Sequence, residues 1–113
     1  MIKFEIKNNE TGKTESYKKD FITMGEAEKC YEYLEAVEKE REKSNPDASK
    51  MRKKERELLI FIFKGQGLTD ETILNYMSTK AYTKAVKDIF REVNGDDEED
   101  EQTASNEAGK TEK

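Results

Sequence analysis

The sequence contains no histidine and no tryptophan, and it has one cysteine, Cys30, and one proline, Pro46. Histidine is the commonest general base and metal ligand, so its absence removes the usual cysteine–histidine pairs and zinc sites. A single cysteine cannot form an internal disulfide. Carboxylates are plentiful, but nothing indicates a pocket that would separate the pKa values of an acid–base pair. The composition therefore predicts a protein with no enzymatic activity, no cofactor and no metal.

Long apolar runs are missing as well. No stretch reaches the roughly 18 apolar residues of a membrane span, so no membrane association is predicted. The N-terminus MIKFEIKNN lacks the apolar core and the small-residue cleavage site of a signal peptide, so we expect the protein to stay in the cytosol of the cell that makes it. The 113 residues suit one small domain, and a hydrophobic content of 33% leaves a modest core.

The negative charge is concentrated at the C-terminus. The last twenty residues hold eight acids and two bases, so their net charge is −6. The whole chain has a net charge of −5, so residues 1–93 sum to +1. The run DDEEDE has no apolar side chain to bury and repels itself. We expect a single helical domain over residues 1–94 and a disordered acidic tail over 95–113. The tail is a solubilising end, a contact for a basic partner, or a mimic of DNA.

The segment Gly12-Lys13-Thr14 resembles the end of a phosphate-binding loop, but the spacing is wrong. Such a loop needs a glycine five residues before Gly12, where this chain has Lys7. Alternation of Ile2, Phe4 and Ile6 with charged residues predicts a half-buried strand. Asn8 to Gly12 then supply turn residues, and the chain returns as a second strand. The pattern predicts an N-terminal β-hairpin over residues 1–20.

A helical period follows the hairpin. The sequence Thr23-Met24-Gly25-Glu26 fits a capping box, and helix one is expected from Met24 to Lys43. The apolar face predicted for it consists of Met24, Ala27, Cys30, Tyr31, Leu34 and Val37. The segment 44–47, SNPD, ends this helix because Pro46 disfavours helix at the preceding residue.

Helix two is expected from Asp47 to Lys64, ending at Gly65-Gln66-Gly67. Its last part, LLIFIF, could also be a buried strand, but the flanking Arg, Lys and Glu residues favour helix. On that helix Leu58, Leu59, Ile62 and Phe63 form one face. Ile60 and Phe61 project to the opposite side, where either a second layer of the fold covers them or they form an association surface.

Two further helices complete the expected fold. Thr69 caps a short helix from Asp70 to Tyr76, and Ser78 or Thr79 opens a last helix that ends at Asn94-Gly95. The apolar face of the last helix comprises Tyr82, Ala85, Val86, Ile89, Phe90 and Val93. The predicted fold class is mostly α: a two-stranded N-terminal hairpin packed on a bundle of three to four helices, with the acidic tail behind it.

Two long segments carry a resemblance to a known family. MIKFEIKNNETGKTESYKKDFITMGEAEKCYEYLE and GLTDETILNYMSTKAYTKAVKDIFREVNGDDEED resemble the two ends of tail assembly chaperones from siphophages of Gram-positive bacteria. The resemblance lies in the order of hairpin, capped Tyr-rich helix, LLIFIF helix, GLTDE cap and final helix. It covers residues 1 to about 95 and the acidic run, and it includes no catalytic motif.

This resemblance implies a function in phage assembly. Such chaperones bind the tape measure protein, a very long helical chain, keep it soluble, and help tail tube subunits assemble around it. They act in the host cell cytoplasm and are absent from the mature virion. Many also exist in a form lengthened by a −1 ribosomal frameshift, whose extension recruits tube protein. Gly109-Lys110 would suit such a slip, since a common slippery heptamer encodes Gly-Lys.

Helix-in-groove recognition requires apolar anchors on a small rigid domain, so Ile60, Phe61 and Tyr33 are the candidate partner-binding residues. Several copies along one tape measure would suit a homo-oligomer. One alternative is another small phage scaffolding or head–tail adaptor protein without enzymatic activity. A second is a nucleic-acid regulator that uses the basic segment KMRKKER, residues 50–56. The acids within that segment and the acidic tail argue against a nucleic-acid partner.

Overall fold

The computed structural model describes residues 1–95, in which a β-hairpin is followed by four helices. The elements are β1 (Ile2–Lys7), β2 (Thr14–Lys19), α1 (Met24–Arg41), α2 (Ala48–Ile62), α3 (Asp70–Tyr76) and α4 (Thr79–Val93). The predicted fold class is confirmed. The prediction of a disordered tail over 95–113 concerns residues that, from 96 onward, lie outside the described part of the chain.

The hairpin forms where the alternating pattern predicts it. Strands β1 and β2 pair antiparallel, with Phe4 opposite Tyr17, and the odd side chains of β1 face solvent while the even ones are buried. At the turn, the Asn8 side-chain oxygen accepts hydrogen bonds from the amides of Glu10 and Thr11, and Gly12 adopts a φ of 77°. The Gly-Lys-Thr segment is therefore followed by strand β2 and not by the helix N-terminus that a phosphate-binding loop requires.

The apolar face of the hairpin packs against the helices. The rings of Phe4 and Tyr17 stack at 5.1 Å between centroids, and the rings of Phe4 and Phe63 meet edge to face with their centroids 4.9 Å apart. Strand β1 also packs along α4. The LLIFIF segment is helical up to Ile62, and its predicted inner face, Leu58, Leu59, Ile62 and Phe63, is buried. Hairpin and helices thus share one hydrophobic cluster.

The helix ends follow the capping residues. Thr23 and Glu26 form the predicted capping box, and Asp47, Thr69 and Ser78 cap the other three helices. Helix α1 ends two residues before the predicted Lys43, and α2 ends two residues before the predicted Lys64. Both differences lie within the usual fraying of helix ends.

The apolar face predicted for α1 is partly wrong. Ala27, Cys30 and Val37 are buried, but Met24, Leu34 and Tyr31 are 72%, 47% and 41% exposed. Two glutamates take the inner positions instead, and they tolerate burial because each is paired. Glu40 accepts a hydrogen bond from the Asp47 amide and contacts the ammonium groups of Lys43 and Lys50. The buried face of α1 is therefore rotated towards Glu26, Tyr33 and Glu40.

Glu26 joins three elements of the fold. Its carboxylate accepts from Lys19 of β2 at 2.6 Å, from the Thr23 amide at 2.9 Å, and from Lys64, just after α2, at 3.2 Å. Burial alone would raise the pKa of Glu26, but these three donors outweigh it and lower the pKa to about 2. The ionised carboxylate therefore holds the hairpin, the start of α1 and the end of α2 together.

Replacement of Glu26 by glutamine should destabilise the fold by about 1–3 kcal/mol at pH 7, because two ammonium groups lose their charged acceptor. The folded pKa lies below the ordinary value of 4.5, so this stabilisation is present above that value and is lost as the pH falls towards 2. Urea unfolding of the wild type and of Glu26→Gln at several pH values measures it. The exposed Glu57→Gln is the control, and a stability difference that stays constant down to pH 2 would contradict the account.

Cys30 is fully buried in α1, and burial raises the pKa of its thiol to about 11. Because the thiolate is the reactive form, the native protein should react with a thiol reagent about a hundredfold or more slowly than the urea-unfolded chain. Absorbance or mass spectrometry follows the labelling. Similar labelling rates in the native and urea-unfolded states would contradict the burial of Cys30 on the inner face of α1.

Candidate partner-binding site

Helices α1 and α2 form an antiparallel pair, and side-chain contacts join the two helices along their whole length. The Lys29 ammonium lies 5.7 Å from the centre of the Phe61 ring, and the Tyr33 hydroxyl donates to Glu55. Towards the connecting turn, Glu40 meets Lys50. Along the pair, residue numbers on α1 increase while those of their contact partners on α2 decrease. A surface depression between the two helices therefore runs parallel to both helix axes.

A groove of about 290 Å³ lies between the two helices. Each helix contributes four residues at positions i, i+3, i+4 and i+7, which is the spacing of one helix face. Together the lining residues are Lys29, Glu32, Tyr33 and Ala36 from α1, and Lys54, Glu57, Leu58 and Phe61 from α2. The inner four are apolar or aromatic and the outer four are charged. Seven residues of helix rise about 10 Å, so the groove matches two turns of a third helix.

Phe61 is half-buried and carries two cations over its ring. The ammonium groups of Lys64 and Lys29 lie 4.5 Å and 5.7 Å from the ring centre, which is within cation–π range. The side chain also packs against the hydrophobic cluster. Phe61 is therefore held in place at the end of the groove, with part of its surface open to a partner.

Tyr33 is fixed by a hydrogen-bond network below the groove. Its hydroxyl donates to one oxygen of Glu55 at 3.2 Å, and the Tyr82 hydroxyl of α4 donates to the other at 2.9 Å. Burial and the neighbouring carboxylate raise the pKa of Tyr33 to about 12, and they raise the pKa of Tyr82 as well. Both phenols stay protonated at physiological pH, so the network fixes the ring of Tyr33.

The structure brings together two of the three candidate residues. Tyr33 and Phe61 both line the groove, whereas Ile60 does not. Ile60 and Phe61 are each half-buried and pack against the hydrophobic cluster, so the body of the fold covers part of both side chains. Sequence reasoning missed Ala36 and the charged rim. The signal that could have found them is the i, i+3, i+4, i+7 spacing shared by the facing sides of α1 and α2.

Other kinds of site find no support in the described residues. Within 1–95 no group of three or more Cys, Asp or Glu side chains could hold a metal ion. None of the four helices in this range is long and apolar enough to cross a membrane. The groove combines an apolar floor, two anchored aromatic rings and charges of both signs at its edges.

Comparison with known proteins assigns the chain to a family. Residues 1–110 match a family model described as phage tail chaperone protein, so the match includes the hairpin, all four helices and most of the acidic tail. No curated protein and no solved structure matches the chain. Because the family model covers nearly the whole sequence, the chain belongs to the phage tail chaperone protein family.

Proposed function

We propose that the protein is a tail assembly chaperone that binds the tape measure protein, keeps it soluble, and helps tail tube subunits assemble around it. Membership of the phage tail chaperone family supports the general role. The observation that carries the specific proposal is the groove between α1 and α2, which has the length and chemistry to hold part of an amphipathic helix.

The groove suits a helical client in three respects. Tyr33, Ala36, Leu58 and Phe61 give an apolar floor on which a helix can lay residues spaced i, i+3, i+4 and i+7. The rim offers both lysines and glutamates, so a client helix with mixed charges finds partners on either side. The two aromatic rings are already fixed, which lowers the entropy that is lost on binding.

Tyr33 and Phe61 are the main client contacts in this proposal. Ile60 is the third proposed contact, but its half-exposed side chain lies outside the groove lining, so we expect it to contribute less. The same proposal implies that the protein is not an enzyme, because a holding chaperone works by covering apolar surface and breaks no bond.

The remaining parts of the proposal concern the assembly pathway. The protein acts in the host cytoplasm and leaves before the virion is complete. Tube protein is recruited through an extension produced by a frameshift near Gly109-Lys110, and the acidic residues 96–101 keep the crowded complex soluble through their charge. Reading the seven nucleotides at that position tests for a slippery sequence.

The two alternatives receive less support. Family membership favours a tail chaperone over another scaffolding or head–tail adaptor protein. In the basic segment 50–56, Lys50 contacts Glu40 and Arg56 pairs with Asp70 at 2.6 Å. These pairings reduce the positive charge available for phosphates, which disfavours the nucleic-acid regulator.

A charged side chain placed on the groove floor should prevent client binding. The variant Ala36→Arg fills the centre of the groove on α1, and arginine is a good helix former, so the fold is kept. Co-expressed with the tape measure protein of the same phage, it should recover about tenfold less soluble, copurifying tape measure than the wild type. Circular dichroism and thermal unfolding check that the variant is folded.

Asn75→Arg is the matched control, since it introduces the same residue at an exposed helical position outside the groove. It should behave as the wild type does. If the wild type solubilises the tape measure and Ala36→Arg does so equally well, the groove is not the binding site. If neither the wild type nor a lengthened form solubilises it, the proposed function itself is wrong.

A further inference from the structure

The two walls of the α1–α2 groove repeat one residue pattern. Each helix lines the groove with a lysine, a glutamate and two apolar residues, in that order and at the same i, i+3, i+4 and i+7 spacing. Every lining residue of α2 follows its α1 counterpart by 25 positions in the sequence. The corresponding pairs are Lys29 and Lys54, Glu32 and Glu57, Tyr33 and Leu58, and Ala36 and Phe61.

The antiparallel arrangement relates the two walls by a half-turn. The Lys29 ammonium lies 5.7 Å from the centre of the Phe61 ring, so the first lining residue of α1 faces the last lining residue of α2. Seven residues further along both helices, the last lining residue of α1 faces the first of α2, which places Ala36 opposite Lys54. A half-turn about the middle of the groove therefore brings lysine onto lysine and glutamate onto glutamate.

The lining charges consequently have the same order from either end of the groove. Along its axis the order is lysine, glutamate, glutamate, lysine over a rise of about 10 Å: Lys29, Glu32, Glu57 and Lys54. Lys29 and Glu32 contact each other at 3.6 Å, but their side chains are 51% and 63% exposed. Such an exposed contact is weak, so both groups remain available to a partner.

The charges just beyond the two ends are also alike. One turn past the lining residues of α2 comes a lysine, Lys64 at one end and Lys50 at the other, and each ammonium contacts a buried glutamate of α1. The four lining charges therefore set the order that a partner meets in the groove. The two clusters are Glu26 with Lys19 and Lys64, and Glu40 with Lys43, Lys50 and the α2 cap Asp47.

A helix complementary to this groove carries acid, base, base, acid over two turns, and that order is also the same in both directions. Building on the proposed function, we infer that the groove accepts a helical client segment in either direction. The preferred segments have an acidic residue at each end and lysine or arginine between them. Reversing such a segment replaces each charge by an identical one, so the electrostatic contribution is equal for both orientations.

The apolar floor differs between the two ends of the groove. The Phe61 ring occupies one end, whereas Ala36 leaves the other end more open. A large apolar residue of the client therefore fits better over Ala36, and this preference gives one orientation a bias of about tenfold or less. A chaperone with such a groove can hold many segments of one long helical client without a fixed direction of loading.

Paramagnetic broadening by a labelled peptide measures the direction of binding. The probes are two helical peptides of about eighteen residues, each with an apolar stripe, leucine at both ends of that stripe, and a nitroxide at the N-terminus. Along the charged flanks the first peptide has the order acid, base, base, acid, and the second has acid, base, base, base. Each is added to the full-length ¹⁵N-labelled chain, and amide signals near Lys29 are compared with those near Lys54.

In the wild type, the label on either peptide should broaden the amides at both ends of the groove. Lys54→Glu makes one end negative, so the second peptide should then place its acidic N-terminus near Lys29 alone. Lys29→Glu should turn the same peptide round and place the label near Lys54 alone. Lys87→Glu, an exposed position on α4 outside the groove, is the matched control and should behave as the wild type does. Circular dichroism checks that all three variants are folded.

Affinity provides a second readout. The first peptide should bind about tenfold more tightly than a version with all four charges reversed, and equal affinities would overturn the inferred charge order. Broadening at one end alone in the wild type would overturn the inference and leave the groove as the client site. If neither peptide binds although the wild type solubilises the tape measure protein, the inference is wrong and the proposed function stands. If the tape measure stays insoluble as well, the proposed function fails and the inference fails with it.

Discussion

The apolar face of the hairpin has to be covered by helices, because two strands provide no second layer of their own. Phe4 and Tyr17 on that face meet Phe63, which directly follows α2, and this contact fixes where α2 ends. The carboxylate of Glu26 secures the same junction from the polar side through Lys19 and Lys64. With the end of α2 fixed, Phe61 is positioned opposite Lys29 and the groove between α1 and α2 takes its shape.

Much of this fold is predictable from the sequence because local signals agree. Three kinds of local signal agree with the element boundaries that packing requires. They are the alternation in β1, the capping residue of each helix, and the glycines after α2 and α4. The inner face of α2 is predictable as well, since Leu58, Leu59, Ile62 and Phe63 are strongly apolar and lie on one side.

The face of α1 and the groove are harder to predict. The apolar face predicted for α1 includes Met24, Tyr31 and Leu34, but the structure exposes these side chains. It buries Glu26 and Glu40 instead, because lysines and backbone amides outside α1 satisfy the two carboxylates. Such partners come from other elements and leave no periodic signal on the helix itself. Ala36 was missed for a related reason, because an alanine indicates a groove only when the facing helix is known.

These features give the domain two differently built faces. The side of α1 that faces α2 is apolar at its floor, has charges of both signs at its rim and carries fixed aromatic rings, which suits a helix of variable sequence. The outer side of α1 exposes the apolar side chains of Met24, Tyr31 and Leu34 to solvent.

The central claim is that the tape measure protein lies in the groove between α1 and α2. Site-specific photo-cross-linking tests it most directly, with benzoylphenylalanine at Glu57 on the groove rim, or at Asn75 on α3, in cells that also express the tape measure. The account predicts a cross-link to the tape measure from position 57 and none from position 75. Cross-links from position 75 alone, or from neither position while the two proteins copurify, would contradict it.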